Sequence, residues 1–261
     1  MVILQREDDE AAGEARPAAI CVGQAAHAWI SGQLARRWGN GRFARPEPFE
    51  GVCLGAEQHD VGMAEWDLAP TLDPGSGLPT SFMAMPRATH IEIWRAAPRK
   101  ALSQSPYAAL LVSMHGHALY GRRDTLEDDP EDSEAIRRYV EEQEVFQRDL
   151  LARMGEDPAR ARHNQRLVWA LDFLSLALLL GWESEPVAAP TRLGEAPCDV
   201  TVKPAGGGGR MTVEPWPFDT DDLTVRTSGR SLGDRHQDEK ALHGALDRAP
   251  WVELEYRLTR R

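Results

Sequence analysis

Cysteine is scarce: Cys21, Cys53 and Cys198 are the only three, and none belongs to a CxxC pair. That excludes a disulfide framework and a cysteine-based zinc site, and fits a reducing cytoplasm. Long apolar runs are lacking as well. The longest, Leu167 to Leu180, is 14 residues and is interrupted by Asp172, whereas a membrane span needs about 20. The first residues carry Arg6, Asp8, Asp9, Glu10, Glu14 and Arg16 with no apolar centre, which excludes a secretory signal. A basic surplus is missing: 30 basic residues face 41 acidic ones for a net charge of −11, and only Lys100, Lys203 and Lys240 are lysines. Nucleic acid and anionic membranes select basic faces, so neither is the expected partner. There is no GxGxxG, no GxxxxGK[ST] and no GxSxG; Gly206 to Gly209 has no following Lys and reads as a flexible hairpin tip.

What is present is helical periodicity followed by alternation. Apolar residues at helical spacing predict helices over Ala19 to Trp38, Gly51 to Trp66, Ala88 to Ser103, Ser105-Pro106 to Tyr120 and Ser133 to Met154, the last with a solvated face. Asp157-Pro158 caps a final helix that carries the apolar run. Asp67 to Pro86, with Pro70, Pro74, Pro79 and Pro86, predicts a long loop of the kind that is functional or mobile. Beyond a proline-rich linker, Asp199 to Lys203, Met211 to Pro215, Leu223 to Thr227 and Trp251 to Thr259 alternate like strands. The expected fold is therefore mainly α, a helical bundle with a small C-terminal antiparallel β appendage. Its predicted parts are a flexible N-terminus (1–18), a helical metal-binding domain (19–184), a linker (185–196) and a β region (197–261).

Asp172 is the only charged residue between Leu167 and Leu180, on a helix apolar nearly all round. A buried carboxylate costs several kcal/mol unless it is protonated, paired or bound to a cation. Histidines stand ready on other helices: His27, His59 beside Asp60, His115 and His117. Neutral imidazoles and carboxylates suit a divalent metal, with Zn, Fe, Mn and Mg all open and one ion or two. On a helix His59 and Asp60 would point about 100° apart, so an ion would sit in a groove whose opposite wall is His27 and Asp172.

The order His27, His59-Asp60, Asp172 resembles the H…HD…D pattern of the HD-domain superfamily of metal-dependent phosphohydrolases, with His59-Asp60-Val61-Gly62 similar to its HD-x-G core. The resemblance implies a helical bundle with those four residues on the metal. More closely, the chain resembles the bacterial DUF3891 proteins of unknown function. The matching segments are Gln24-x-x-His27-x-x-x-Ser31-Gly32, Glu57-Gln58-His59-Asp60-x-Gly62, Leu111-Val112-Ser113-Met114-His115, Leu171-Asp172-x-Leu174-Ser175-Leu176 and the C-terminal Pro215-Trp216-Pro217-Phe218. Many HD phosphohydrolases have Lys directly after HD-x-G; Met63 stands there in this chain.

His115 lies on the apolar stripe of its helix, four residues from both Leu111 and Leu119, so it is the inward member of the His115/His117 pair. It could hold a second ion, contact a phosphate or stabilise an oxyanion. Glu57 is a candidate proton shuttle; His117, His90, Trp66 and Arg122 are candidate substrate contacts. The expected activity is metal-assisted hydrolysis of a small, phosphorylated substrate. The alternatives are a dinuclear iron oxygenase and a non-catalytic metal- or ligand-binding module. A homo-oligomer is compatible with the sequence. Residues 197–261 hold 10 basic and 11 acidic side chains, so nearly all the acid surplus lies on the helical part, where it favours capture of a cation over a polyanion.

Overall fold

The computed structural model describes residues 1–5, 19–121, 130–183 and 186–260. Strand β1 (Val2–Gln5) pairs antiparallel with β2 (Ala19–Val22). Every residue of β2 is buried, so it lacks the polar alternation of a half-exposed strand and reads in the sequence as the first turn of the helix that follows. That helix, α1 (Gln24–Arg37), begins only after Gly23 and ends with Arg36 and Arg37 in its last turn, where cations complement the helix dipole.

Next come α2 (Phe49–Glu57), a 3-10 turn (Val61–Met63) and α3 (Ala64–Leu68). The expected long loop is partly ordered: β3 (Leu72–Asp73) and β4 (Leu78–Pro79) form a hairpin, and a second 3-10 turn (Phe82–Ala84) is capped by Ser81. Four helices follow, α4 (Arg87–Leu102), α5 (Pro106–Gly121), α6 (Pro130–Met154) and α7 (Pro158–Leu180), close to their predicted bounds. Asp157 caps α7 by accepting from the Ala159 amide, and Gly181, at φ 63°, closes it in the left-handed region that favours glycine. Strands β5 (Val187–Ala189), β6 (Cys198–Pro204), β7 (Arg210–Glu214), β8 (Asp222–Leu232) and β9 (Trp251–Arg260) complete the chain, with α8 (Glu239–Arg248) between the last two. Neither α8 nor the three-residue β5 was expected.

The mainly α bundle with a small β appendage is corrected by the sheet. Seven strands join in the order β1-β2-β8-β9-β7-β6-β5, curled into a half-barrel and mixed, because β7 and β9 run parallel while the other neighbours run antiparallel. The 11-residue β8 makes this possible: Asp222 to Arg230 pairs with β9, and Arg230 to Leu232 pairs with β2. N-terminal strands thus enter a sheet that the local alternation places wholly at the C-terminus. A single apolar core joins helices and sheet, with Leu34, Val52, Leu111, Leu171 and Leu178 packed together with Ile20, Val200, Val213, Val225 and Leu258. Helix α7 is apolar nearly all round because it lies between the other helices and the sheet. A second cluster, around Trp94, Leu110 and Tyr139, binds α4, α5 and α6. Among the described residues no helix is long and apolar enough to cross a membrane.

Candidate metal centre

The centre is built around the end of α2. Contrary to the helix expected to run to Trp66, His59 and Asp60 do not continue α2, which stops at Glu57, and residues 58–60 form a turn. The turn lets both side chains face one point, which a helix would have separated by about 100°. It also fixes the His59 tautomer. The last carbonyls of a helix lack intrahelical donors, and His59 Nδ1 lies 2.7 Å from the Ala56 carbonyl oxygen. A carbonyl only accepts, so Nδ1 carries a proton and Nε2 is the ring nitrogen that faces inward. Such a backbone hydrogen bond is the usual support of a metal-ligating histidine.

His59 Nε2 meets two other groups: His27 Nε2 on α1 at 3.3 Å and Asp172 Oδ1 on α7 at 3.2 Å. His27 Nε2 is itself 3.0 Å from the same Asp172 oxygen. The three atoms form a near-equilateral triangle. Ligands about 2.0–2.1 Å from a tetrahedral ion stand about 3.3 Å apart, so these edges match one face of such a shell. Asp60 Oδ2 adjoins it, 3.4 Å from His27 Nδ1 and 3.8 Å from His59 Nε2. When His59 Nε2 carries a second proton it donates to the Asp172 oxygen, and a cation seated between them would take that proton's place; His27 Nδ1, on the side of its ring away from the triangle, has no hydrogen-bond partner. The donor set fits a divalent ion: His27, His59 and Asp60, and likewise His59, His115 and Asp172, could hold one.

Packing holds the helices at this spacing. Ser31 Oγ on α1 donates to Leu171 O and Ser175 Oγ, and Ser175 Oγ also reaches Asp172 O at 2.8 Å, so hydroxyls clamp α1 to α7 beside the two ligands. Asp67, from α3, accepts the Gln24 amide and so caps α1 one turn before His27. A Cβ at Gly23 would come within 2.9 Å of Asp67 Oδ2, and one at Gly62 would come within 2.8 Å of Ile93 O, so both glycines serve close approaches around the site.

The electrostatics are those of a site short of positive charge. Burial alone would lower the His59 imidazole, but Asp60 and Asp172 override it and push it up to about 9. Burial works against the Asp172 carboxylate too, yet hydrogen bonds from His27 and His59 hold it well below the usual range. Asp60 is raised by burial despite its histidine neighbours. His115 is pulled down to about 3, first by burial and then by His59, so its imidazole is neutral.

His115 lies on the inward face of α5, as its stripe predicts, with Nε2 3.6 Å from Asp172 Oδ2 and its ring against His59, Trp94 and Trp169. Together with Asp60 and Asp172 it forms the floor of a cavity of about 530 Å3. His90 edges that cavity: Trp94 Nε1 donates to His90 Nε2 at 3.0 Å, which leaves Nδ1 to donate to the Tyr120 hydroxyl. The remaining candidates are elsewhere. Glu57 pairs with Arg36 at 2.6 Å and does not border the cavity. His117 points away from the centre toward Glu144, at 3.5 Å. Trp66 is packed with Met63 and Leu242 in the core. Arg122 lies outside the described residues. His236 and His243 are half-buried against the 67–86 segment, where His243 Nε2 bonds Pro70 O at 2.8 Å.

Sequence reasoning missed Gln24 and Asp67. Gln24 is 4% exposed, borders the cavity and leaves Oε1 without a partner; its position one turn before His27 was the available signal. Asp67 carries none, because the helix it caps is 43 residues away in sequence.

The comparisons with known proteins agree with one resemblance and leave the other without support. A family described as "Protein of unknown function (DUF3891)" matches residues 13–234, and the chain belongs to that family. Neither curated proteins nor solved structures give a match. The resemblance to HD-domain phosphohydrolases gains nothing from these findings, and the sheet removes the bundle it implied.

Proposed function

We propose that this protein is a metal-dependent hydrolase of a small substrate. The observation that carries the reading is the triangle of His27 Nε2, His59 Nε2 and Asp172 Oδ1, with edges of 3.0 to 3.3 Å, whose Asp172 also lines, with Asp60 and His115, a cavity large enough for a small molecule. His27, His59, Asp60 and Asp172 would hold the ion. A divalent ion there supplies a water with a pKa lowered toward about 7 and a Lewis acid for the bond to be cleaved. Asp172 Oδ2, which faces His115 instead of the triangle, would orient a water beside the ion by accepting a hydrogen bond from it. The neutral His115 imidazole, at the cavity wall, donates a hydrogen bond to negative charge developing on the substrate. Buried and water-poor surroundings strengthen that contact.

The test is turnover by protein loaded with Zn, Mn or Fe, set against the metal-stripped form and His115→Ala. Hydrolysis should require the ion, and His115→Ala should lower kcat by about 10²-fold while metal content is retained. Equal rates with and without metal would contradict the reading. One observation supports a second reading: the His59, His115 and Asp172 group offers a further set of donors beside the first. Two irons there with metal-dependent oxygen consumption would mark a dinuclear oxygenase.

A further inference from the structure

The walls above the metal centre differ from its floor. Met63, Phe82, Met83, Met85, Leu119 and Leu176 make up most of the apolar lining, and Met83, 68% exposed, stands at the rim. Methionine is flexible and polarisable, suited to accommodating apolar groups of varied shape. The charges point the same way. Among the described lining residues the acids are Asp60, Asp132 and Asp172, and the one Lys or Arg is Arg87, which faces Asp132 at 3.7 Å. Three negative charges and one positive leave a formal surplus of two negative charges, which a single divalent ion just neutralises. No surplus of positive charge then remains for a phosphate dianion, which is ordinarily met by clustered arginines or lysines. Met63, three residues after Asp60, belongs to the apolar wall. Finally, the unpartnered Gln24 Oε1 at the wall is a buried acceptor, and leaving it unmatched costs about 1–3 kcal/mol; a donor on the bound molecule would meet it.

Resting on the hydrolase reading, we infer that the substrate is a carboxylic ester or amide with an apolar body and at most one negative charge, and not a phosphomonoester. Water oxygen forms a bond to the carbonyl carbon, and the bond from carbon to the ester oxygen or amide nitrogen breaks. The departing atom keeps that electron pair and takes one proton from the water, giving a carboxylic acid and an alcohol or amine. No oxidant or reductant is consumed. Phe82, Met83 and Met85 hold the apolar body, and Gln24 is a positioning residue that accepts from a substrate N–H or O–H.

Binding separates this inference from the hydrolase reading. Calorimetry on the metal-loaded full chain would use butyrate, hexanoate, octanoate and inorganic phosphate as probes. The expected result is tightening of roughly ten-fold for each two added methylenes, with phosphate weaker than octanoate. The double variant Met83→Asp with Met85→Asp should abolish the chain-length dependence while keeping the metal stoichiometry. A flat series, phosphate binding tighter than octanoate, or a chain-length dependence that survives both substitutions would overturn the inference. In parallel, p-nitrophenyl butyrate and octanoate are compared with p-nitrophenyl phosphate as substrates. Faster phosphate turnover overturns the substrate class and leaves the hydrolase reading standing. Absence of all metal-dependent turnover, despite a bound ion, overturns both.

Discussion

Asp67 shows how a residue outside the ligand set governs the centre. Its carboxylate caps α1 and so sets the height of His27, yet it is buried beside the Met1 amino group, at 3.6 Å, with Oδ1 unbonded. Burial raises it, against the pull of that amine and the α1 amides, to about 6. The folded state therefore holds this proton more tightly than the unfolded chain, whose Asp titrates near about 3.9. A raised folded pKa gives stability that is complete below about pH 4 and is lost as pH rises through about 6. For metal-free protein, the stability of wild type minus that of Asp67→Asn should fall by about 2–3 kcal/mol between pH 4 and pH 7. Urea melts at each pH measure it, and the paired difference cancels the other carboxylates. A difference independent of pH would show that folding leaves the Asp67 carboxyl at its unfolded value. His59 makes a complementary point: its Nδ1 completes the end of α2 while its Nε2 faces the site, so one side chain joins local structure to chemistry.

At the scale of elements, the strand with least character in the sequence has the widest effect. β2 is four residues long, yet it lies between β1 and β8 and feeds directly into α1. Ile20, 5% exposed, belongs to the same core as Leu34 and Leu171. Ile20→Ala should therefore destabilise the whole chain by about 2–5 kcal/mol, with helical and tertiary signals moving together in one shifted transition. An unchanged helical transition would mean that the sheet is a separable appendage. This element also shows where local reading ends. Helices α4 to α7 were legible because each has its own period, and α5 and α7 also have caps, Asp157-Pro158 being the plainer. Four of the five strands of the C-terminal half, β6 to β9, were legible from alternation. β2 was not, since a strand covered on both faces has no alternation, and Ala19 to Val22 reads equally as helix. Nor does local pattern reveal that β8 runs on to pair with a strand some two hundred residues earlier. For the site, a lone carboxylate in an apolar helix and an adjacent His-Asp pair stand out whatever the scaffold, and the structure brings those side chains, with His27, to one point. The turn that makes His59 and Asp60 convergent was hidden, because the apolar period runs on past Glu57.

For the molecule as a whole, two carboxylates of the helical part, Asp60 and Asp172, meet His27 and His59 in the interior, and the curled sheet closes the core on which α1 and α7 are aligned. A ligand that binds only the folded state adds stability by mass action, about 2.7 kcal/mol at a hundred times its dissociation constant; the ion should therefore raise the melting temperature as well as enable chemistry. The most direct measurement is the metal content of the purified chain after equilibration with Zn, Mn or Fe, in wild type and in His59→Ala and Asp172→Ala variants shown to be folded by circular dichroism. The account predicts at least one tightly held ion per chain in the wild type and its loss in both variants. A folded wild type that retains no ion, or variants that keep the full complement, would contradict it.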